Sequence, residues 1–193
     1  MRSESIRYVI VPGWQGSPDD HWQSHWQRSL PNSARVEQSD WLGPRREQWV
    51  AELDRSIAMS AQPVILVAHS LGCITVAHWV EHASVDILLR VRGALLVAPA
   101  DVQRIGCPEA LRNFAPIPRQ VLPFPSLLIG SDNDAAATAD RAIELGLDWG
   151  SDTVILGGAG HINTQSGHTR WEQGFAYLYR LQNRIAQQAR KTA

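Results

Sequence analysis

Residues 66–73 read LVAHSLGC. An apolar run gives way to a histidine and a serine, and a glycine follows two positions on. A hydroxyl at the end of a buried run either caps the next helix or takes part in chemistry. Ala68-His69-Ser70-Leu71-Gly72 has the form G-x-S-x-G, with alanine in the first glycine position. A serine on a sharp strand-to-helix turn presents its hydroxyl above the sheet. Small residues two before and two after it let strand and helix pass closely. The turn also puts the Leu71 amide at a helix N-terminus, where it can donate to an oxyanion. With a buried strand before Ser70 and a helix after it, the nucleophile reading outweighs the capping one.

Working outward, strand-length apolar runs alternate with helix-like segments. IRYVIVP (6–12) predicts a first strand. Ser17, Pro18 and Asp20 then read as N-cap, first-turn proline and acidic third position of a helix. A short strand is expected around 34–38, and a helix through 46–60 with Trp49, Val50, Leu53 and Ile57 on its apolar face. PVILVAH (63–69), a helix over 71–83 and GALLVAPA (93–100) follow. Residues 108–125 carry five of the 11 prolines and read as a loop. SLLIG (126–130), a helix over 135–145, TVILGG (153–158) and a helix from 169 complete the series, with the QQARKTA tail expected to fray. The central runs are continuously apolar, as for strands buried on both faces. Strands alternating with helices imply an α/β, doubly wound, mostly parallel sheet.

The 193 residues, 44% of them hydrophobic, suffice for one compact domain over 1–193. A formal net charge of -1 gives no electrostatic reason to expect nucleic acid or an anionic membrane. No stretch approaches the roughly 18–20 apolar residues of a membrane span. MRSESIRYVIVPGW has too short an apolar run for a signal peptide. Cys73 and Cys107 form no metal-binding or redox pattern, so a reduced cytoplasm is the expected setting.

In a doubly wound sheet, ligands bind beyond the carboxyl ends of the strands. Those ends are Gly13-Trp14, His69-Ser70, Pro99 to Asp101, Ser131 to Asp134 and Gly157 to His161. They supply a serine, an aspartate pair and a histidine, in that order. His161 is the candidate base for Ser70; His168, near a helix start, reads as a surface or capping residue. Asp132 and Asp134 both follow a strand, and either could instead cap the next helix. The glycines of LGGAGHIN do not make a dinucleotide fingerprint, because Asn163 stands where the third glycine belongs.

VPGWQGSPDDHWQSHW (11–26), Trp41-Leu42-Gly43-Pro44 with Trp49, AHSLG and GHINTQSGH (160–168) together resemble a known family. They are similar to the α/β-hydrolase fold, and within it to the small lidless serine hydrolases related to retinoblastoma-binding protein 9 and bacterial YdeN. The likeness extends over nearly the whole chain. It implies about six strands in the order 2-1-3-4-5-6, helices on both faces and no lid domain. It implies a triad of Ser70, Asp134 and His161, with the Trp14 and Leu71 amides as oxyanion donors and a small acyl compound as substrate. The family's acid directly precedes a proline; Ala135 stands in that place here, and Asp132 remains the competing carboxylate. Neither metal nor cofactor is called for. The resemblance leaves oligomeric state open.

Other features carry less. His78-Trp79-Val80-Glu81-His82 matches H-x-x-E-H, a zinc-peptidase pattern, but reads better as a solvated helix face away from the strand tips. Of eight tryptophans, Trp14 and Trp41 are expected near the pocket with Gly13 and His69, and the rest in packing. Cys73 reads as a small buried hydrophobe. The rival to an enzyme is a protein-binding module on the same scaffold. The L-x-C-x-E segment of one relative does not carry over, since Leu71-Gly72-Cys73-Ile74-Thr75 ends in threonine.

Overall fold

The computed structural model describes residues 5–192; the first four residues of MRSESIRYVIVPGW and the last of QQARKTA lie outside them. Six strands form one parallel sheet: β1 (Arg7–Val11), β2 (Ser33–Arg35), β3 (Val64–His69), β4 (Val91–Val97), β5 (Ser126–Ser131) and β6 (Asp152–Leu156). The strand order is β2-β1-β3-β4-β5-β6, and every pairing is parallel. The longer helices are α1 (Trp22–Ser29), α2 (Arg46–Ala58), α3 (Leu71–His82), α5 (Ala139–Trp149) and α6 (Gly174–Thr192), with a four-residue α4 (Val85–Leu88) between α3 and β4.

Strand side chains alternate between two apolar layers, which is why the central runs carry no polar face. Val9, Leu66, Ala68, Leu96 and Leu128 face the layer built by α2, α3 and α5. Ile10, Ile65, Val67, Leu95 and Ile129 face Trp22 and Trp26 of α1 and Leu178 and Leu181 of α6. Trp22, Trp26, Trp49, Trp79 and Trp149 are fully buried among these helices. Between β4 and β5 the chain forms coil and a single short 3-10 helix, Glu109–Phe114. No helix among the described residues is long and apolar enough to cross a membrane.

Three helix starts differ from expectation. α1 begins at Trp22, with His21 rather than Ser17 as its N-cap. The Ser17 hydroxyl donates instead to Gln23 Oε1 at 2.6 Å, and residues 18–21 form a turn closed by His21 N–H on the Pro18 carbonyl. α5 begins at Ala139 under a Thr138 cap, not at 135; Asp134 accepts the Ala136 N–H, but only a turn follows it. α6 begins at Gly174, since residues 164–166 form their own capped turn and Trp171 folds back over the helix end. A Cβ at Gly174 would stand 2.4 Å from the Trp171 ring. The tail expected to fray is helical through Thr192.

Candidate active site

Ser70 joins β3 to α3 with φ 54 and ψ -122, a conformation that costs a non-glycine residue on the order of 1–3 kcal/mol. Its surroundings impose it. Ser70 N–H donates to the Val97 carbonyl at 2.9 Å, and Cys73 N–H to the Ser70 carbonyl at 3.0 Å. Gly72 lies so close to the end of β1 that a Cβ there would stand 2.4 Å from the Val11 carbonyl oxygen. Alanine in the first position of the pattern fits: Ala68 is fully buried in the α2–α3–α5 layer. The hydroxyl makes no capping bond to α3, and it points at a histidine.

His161 Nε2 lies 2.8 Å from Ser70 Oγ. Its Nδ1 lies 2.8 Å from Asp134 Oδ2 and 3.0 Å from Oδ1. The Asp134 side chain is 2% exposed and that of His161 22%. Asp134 Oδ1 also accepts the Ala136 N–H at 2.7 Å. Asp132 turns away, accepting the Gly158 N–H at 2.7 Å, so the geometry separates the two carboxylates that the sequence left in competition.

The loop bearing His161 is held at five consecutive residues. Asp132 takes the Gly158 N–H, Ser131 Oγ the Ala159 N–H at 3.1 Å, and Asn133 Oδ1 the Gly160 N–H at 2.7 Å. His69 Nε2 meets the His161 carbonyl at 2.9 Å, and Trp22 Nε1–H donates to the Ile162 carbonyl at 2.9 Å. Positive φ at Gly158, Gly160 and Ile162 gives the loop a shape that local sequence alone would not hold. Asn133 and Trp22 were not legible as site residues, because their bonds reach far along the chain; Asp132, the competing carboxylate, holds the loop rather than the base.

Gly13 packs against the serine: a Cβ there would be 2.7 Å from Ser70 Cβ and 3.1 Å from the His69 carbonyl oxygen. It is buried and does not line the cavity, contrary to the expectation for a pocket residue; Trp14 takes that place. The cavity, about 450 Å³, opens over Ser70 and His161 between Trp14, Trp41, His21 and the 163–165 turn. Trp14 Nε1–H donates to the Leu42 carbonyl at 3.0 Å, and Gln15 N–H to the Trp41 carbonyl at 3.1 Å. These bonds tie the 13–16 loop to the 41–44 loop. His69 lies beneath this cavity, and burial, then His161 and His21, hold its imidazole well below the usual range.

A serine–histidine–carboxylate chain at the strand ends of this sheet is the arrangement of a nucleophilic hydrolase. Residues 8–180 match the family model described as serine hydrolase. The chain belongs to the serine hydrolase family. A protein described as a YdeN-like hydrolase from Pectobacterium atrosepticum shares 33% identity over 94% of this hydrolase and 92% of its own chain, with a TM-score of 0.81. The ydeN gene product of B. subtilis shares 20% identity over 93% and 100%, with a TM-score of 0.79. A thermophilic esterase from Thermogutta terrifontis shares the fold at 12% identity over 95% and 91%, with a TM-score of 0.65. No curated protein matches the sequence significantly.

Two side readings take their place in this serine hydrolase. His78 is buried rather than solvated; its Nε2 lies 2.8 Å from the Phe114 carbonyl oxygen and its Nδ1 3.3 Å from Glu81. It ties α3 to the proline-rich loop. Among the described residues no group of three or more His, Cys, Asp or Glu side chains is placed to hold a metal ion. Cys73 is fully buried, and burial pushes its thiol up, away from nucleophilic use. Leu71, Cys73 and Thr75 are all fully buried, so that segment offers nothing to a partner.

Proposed function

We propose that this hydrolase cleaves a small ester, thioester or amide, in the manner of a carboxylesterase, through an acyl-enzyme on Ser70. The observation that carries the reading is the unbroken chain from Ser70 Oγ through His161 to the buried Asp134, opening on a cavity.

Ser70 Oγ attacks the acyl carbon while its proton passes to His161 Nε2, and the carbonyl π pair moves onto oxygen. Asp134 fixes the Nδ1–H tautomer and stabilises the imidazolium. Leu71 N–H, first in α3, and Trp14 N–H, beside the Gly13 contact, are the oxyanion donors. A single donor of this kind contributes roughly 3–4 kcal/mol. Collapse of the adduct breaks the bond to the alcohol, thiol or amine, which leaves with the proton from His161. Water then attacks the acyl-serine by the reverse route. Every group used belongs to the chain, and no cofactor enters. The lidless cavity suits small or extended acyl compounds. Cys73 and Cys107 are unpaired, as a reducing cytoplasmic setting would keep them.

A fluorophosphonate probe is expected to label the wild type and not Ser70→Ala. Equal labelling of both would overturn the assignment. Esters, thioesters and amides of graded acyl length then rank the substrates.

A further inference from the structure

His21 is 4% exposed, yet it lines the cavity shared with Ser70 and His161. Its Nδ1 accepts the Gln23 N–H at 3.2 Å, which caps α1 and fixes the tautomer. The proton of the neutral ring therefore sits on Nε2. Burial, then Arg35 and His161, push this imidazole down to about 4, so the ring is neutral near pH 7. Its faces are taken: His69 packs edge-on at 4.9 Å and Trp22 at 5.6 Å. Nε2–H finds no acceptor among the described residues. Nε2 is not an enclosed atom; it reaches the cavity, where water or an acceptor carried by a ligand can meet its proton.

Arg35, at the end of β2, lines the same cavity. Its guanidinium is held by neutral acceptors: Gln27 Oε1 at 2.8 Å, the Ser17 carbonyl at 2.8 Å and Ser24 Oγ at 2.5 Å. Three of its five N–H donors are thus used. Among the described residues no carboxylate lies within 4.0 Å of it; Glu37 and Asp19 act on it from further off. Glu37 is exposed on the same wall, where water screens it. One wall of the cavity thus offers a fixed neutral donor beside a cation whose hydrogen bonds all go to neutral groups.

We infer that His21 is a specificity-determining residue whose Nε2–H, with Arg35 beside it, binds a carboxylate carried by the substrate away from the scissile bond. The inference rests on the hydrolase reading above and names its substrate class: half-esters or related acyl compounds of dicarboxylic acids. The wild type is expected to hydrolyse one member of the series monoethyl malonate, succinate, glutarate and adipate with kcat/KM at least tenfold above that for ethyl butyrate. Added salt should narrow the gap. His21→Asn keeps an α1 cap and deletes the cavity donor, so the preference should fall severalfold through KM. His21→Gln keeps a donor near the Nε2 position and loses the cap, so the preference should survive at lower thermal stability. Arg35→Gln should remove the salt dependence. A wild type that labels at Ser70 but shows no such preference overturns this inference and leaves the hydrolase reading standing. So does a wild type that prefers ethyl 4-aminobutyrate, which would make Glu37 the reader. Equal loss of preference in His21→Asn and His21→Gln would reduce His21 to a cap. A wild type that neither labels nor turns over any ester overturns both readings.

Discussion

His69 Nε2 lies 2.9 Å from the backbone carbonyl oxygen of His161. To make that bond the ring must carry its proton on Nε2. Burial and the neighbouring His161 and His21 keep it from taking a second one near neutral pH. The residue before the nucleophile therefore holds the backbone of the base, and one strand end fixes both partners of the proton transfer. His69→Gln places an amide N–H near the lost Nε2–H, whereas His69→Leu removes the donor. A misplacement of the base by an ångström is worth about a hundredfold in rate. The leucine variant is expected to lose about tenfold or more in kcat and the glutamine variant to recover most of it. Equal rates for the two would mean that the contact does not position His161.

Asn133 is the second holder to test. Its Oδ1 accepts the Gly160 N–H, one residue before the base, and the Ser131 hydroxyl proton at 2.9 Å. Asn133→Ala should lower kcat about tenfold with KM little changed, and Asn133→Asp, which keeps the acceptor, should restore it. A rise in KM alone would place Asn133 in binding instead.

The two aspartates differ in what an amide can replace. Asp134→Asn loses the carboxylate that faces His161 Nδ1 and favours the wrong tautomer, a change of about 10⁴-fold in kcat where such a triad operates. Asp132→Asn keeps an oxygen able to accept the Gly158 N–H, so its loss should stay within about tenfold. Single-turnover acylation rates for both variants decide the matter, and a larger fall from Asp132 would unseat the Asp134 assignment.

The sheet was legible because its central strands are apolar on both sides, and the site because Ser70, the aspartate pair and His161 follow the ends of β3, β5 and β6. The choice between Asp132 and Asp134 was not legible from the residues alone: both lie in one turn, and which meets His161 depends on the turn's backbone. The starts of α1 and α5 were misplaced for a related reason. Ser17 and Asp134 have side chains that suit a cap, but the Ser17 hydroxyl goes to Gln23, and Asp134, besides meeting His161, closes only a local turn onto the Ala136 N–H. Ser131 and Asn133 gave no signal of their own, since short polar side chains that bond distant amides look like any loop residue, and His21 bonds only locally, at the start of α1.

Two buried histidines tie stability to pH. His21 falls to about 4 in the fold and His69 lies well below 6.5. Both are neutral in the folded chain and protonate near 6.5 when unfolded. Between about pH 6.5 and 4 the unfolded state binds more protons, so stability falls as pH falls, by up to about 1.4 kcal/mol per pH unit for each group. Above 6.5 the two contribute no slope. Urea midpoints measured across this range should decline, and His69→Gln should flatten the decline. An unchanged slope in that variant would contradict the buried neutral state.

Gly72 gives the sharpest test of the elbow itself. A Cβ there would stand 2.4 Å from the Val11 carbonyl oxygen and 2.7 Å from that of Pro12. Both contacts are with backbone, so nothing flexible can move aside, and α3 must shift away from β1. That shift carries Ser70 away from the loop that presents Trp14 and from His161 Nε2, 2.8 Å distant. Gly72→Ala should therefore lower the melting temperature and slow fluorophosphonate labelling of Ser70 by more than tenfold. Ala68→Gly, in the opposite arm of the same turn, enlarges nothing that must stay close and should label at near the wild-type rate, with a stability loss of about 1 kcal/mol from the glycine in a strand. If the alanine at 72 is tolerated without change in either measurement, the close passage of helix under strand is not what sets the serine's position.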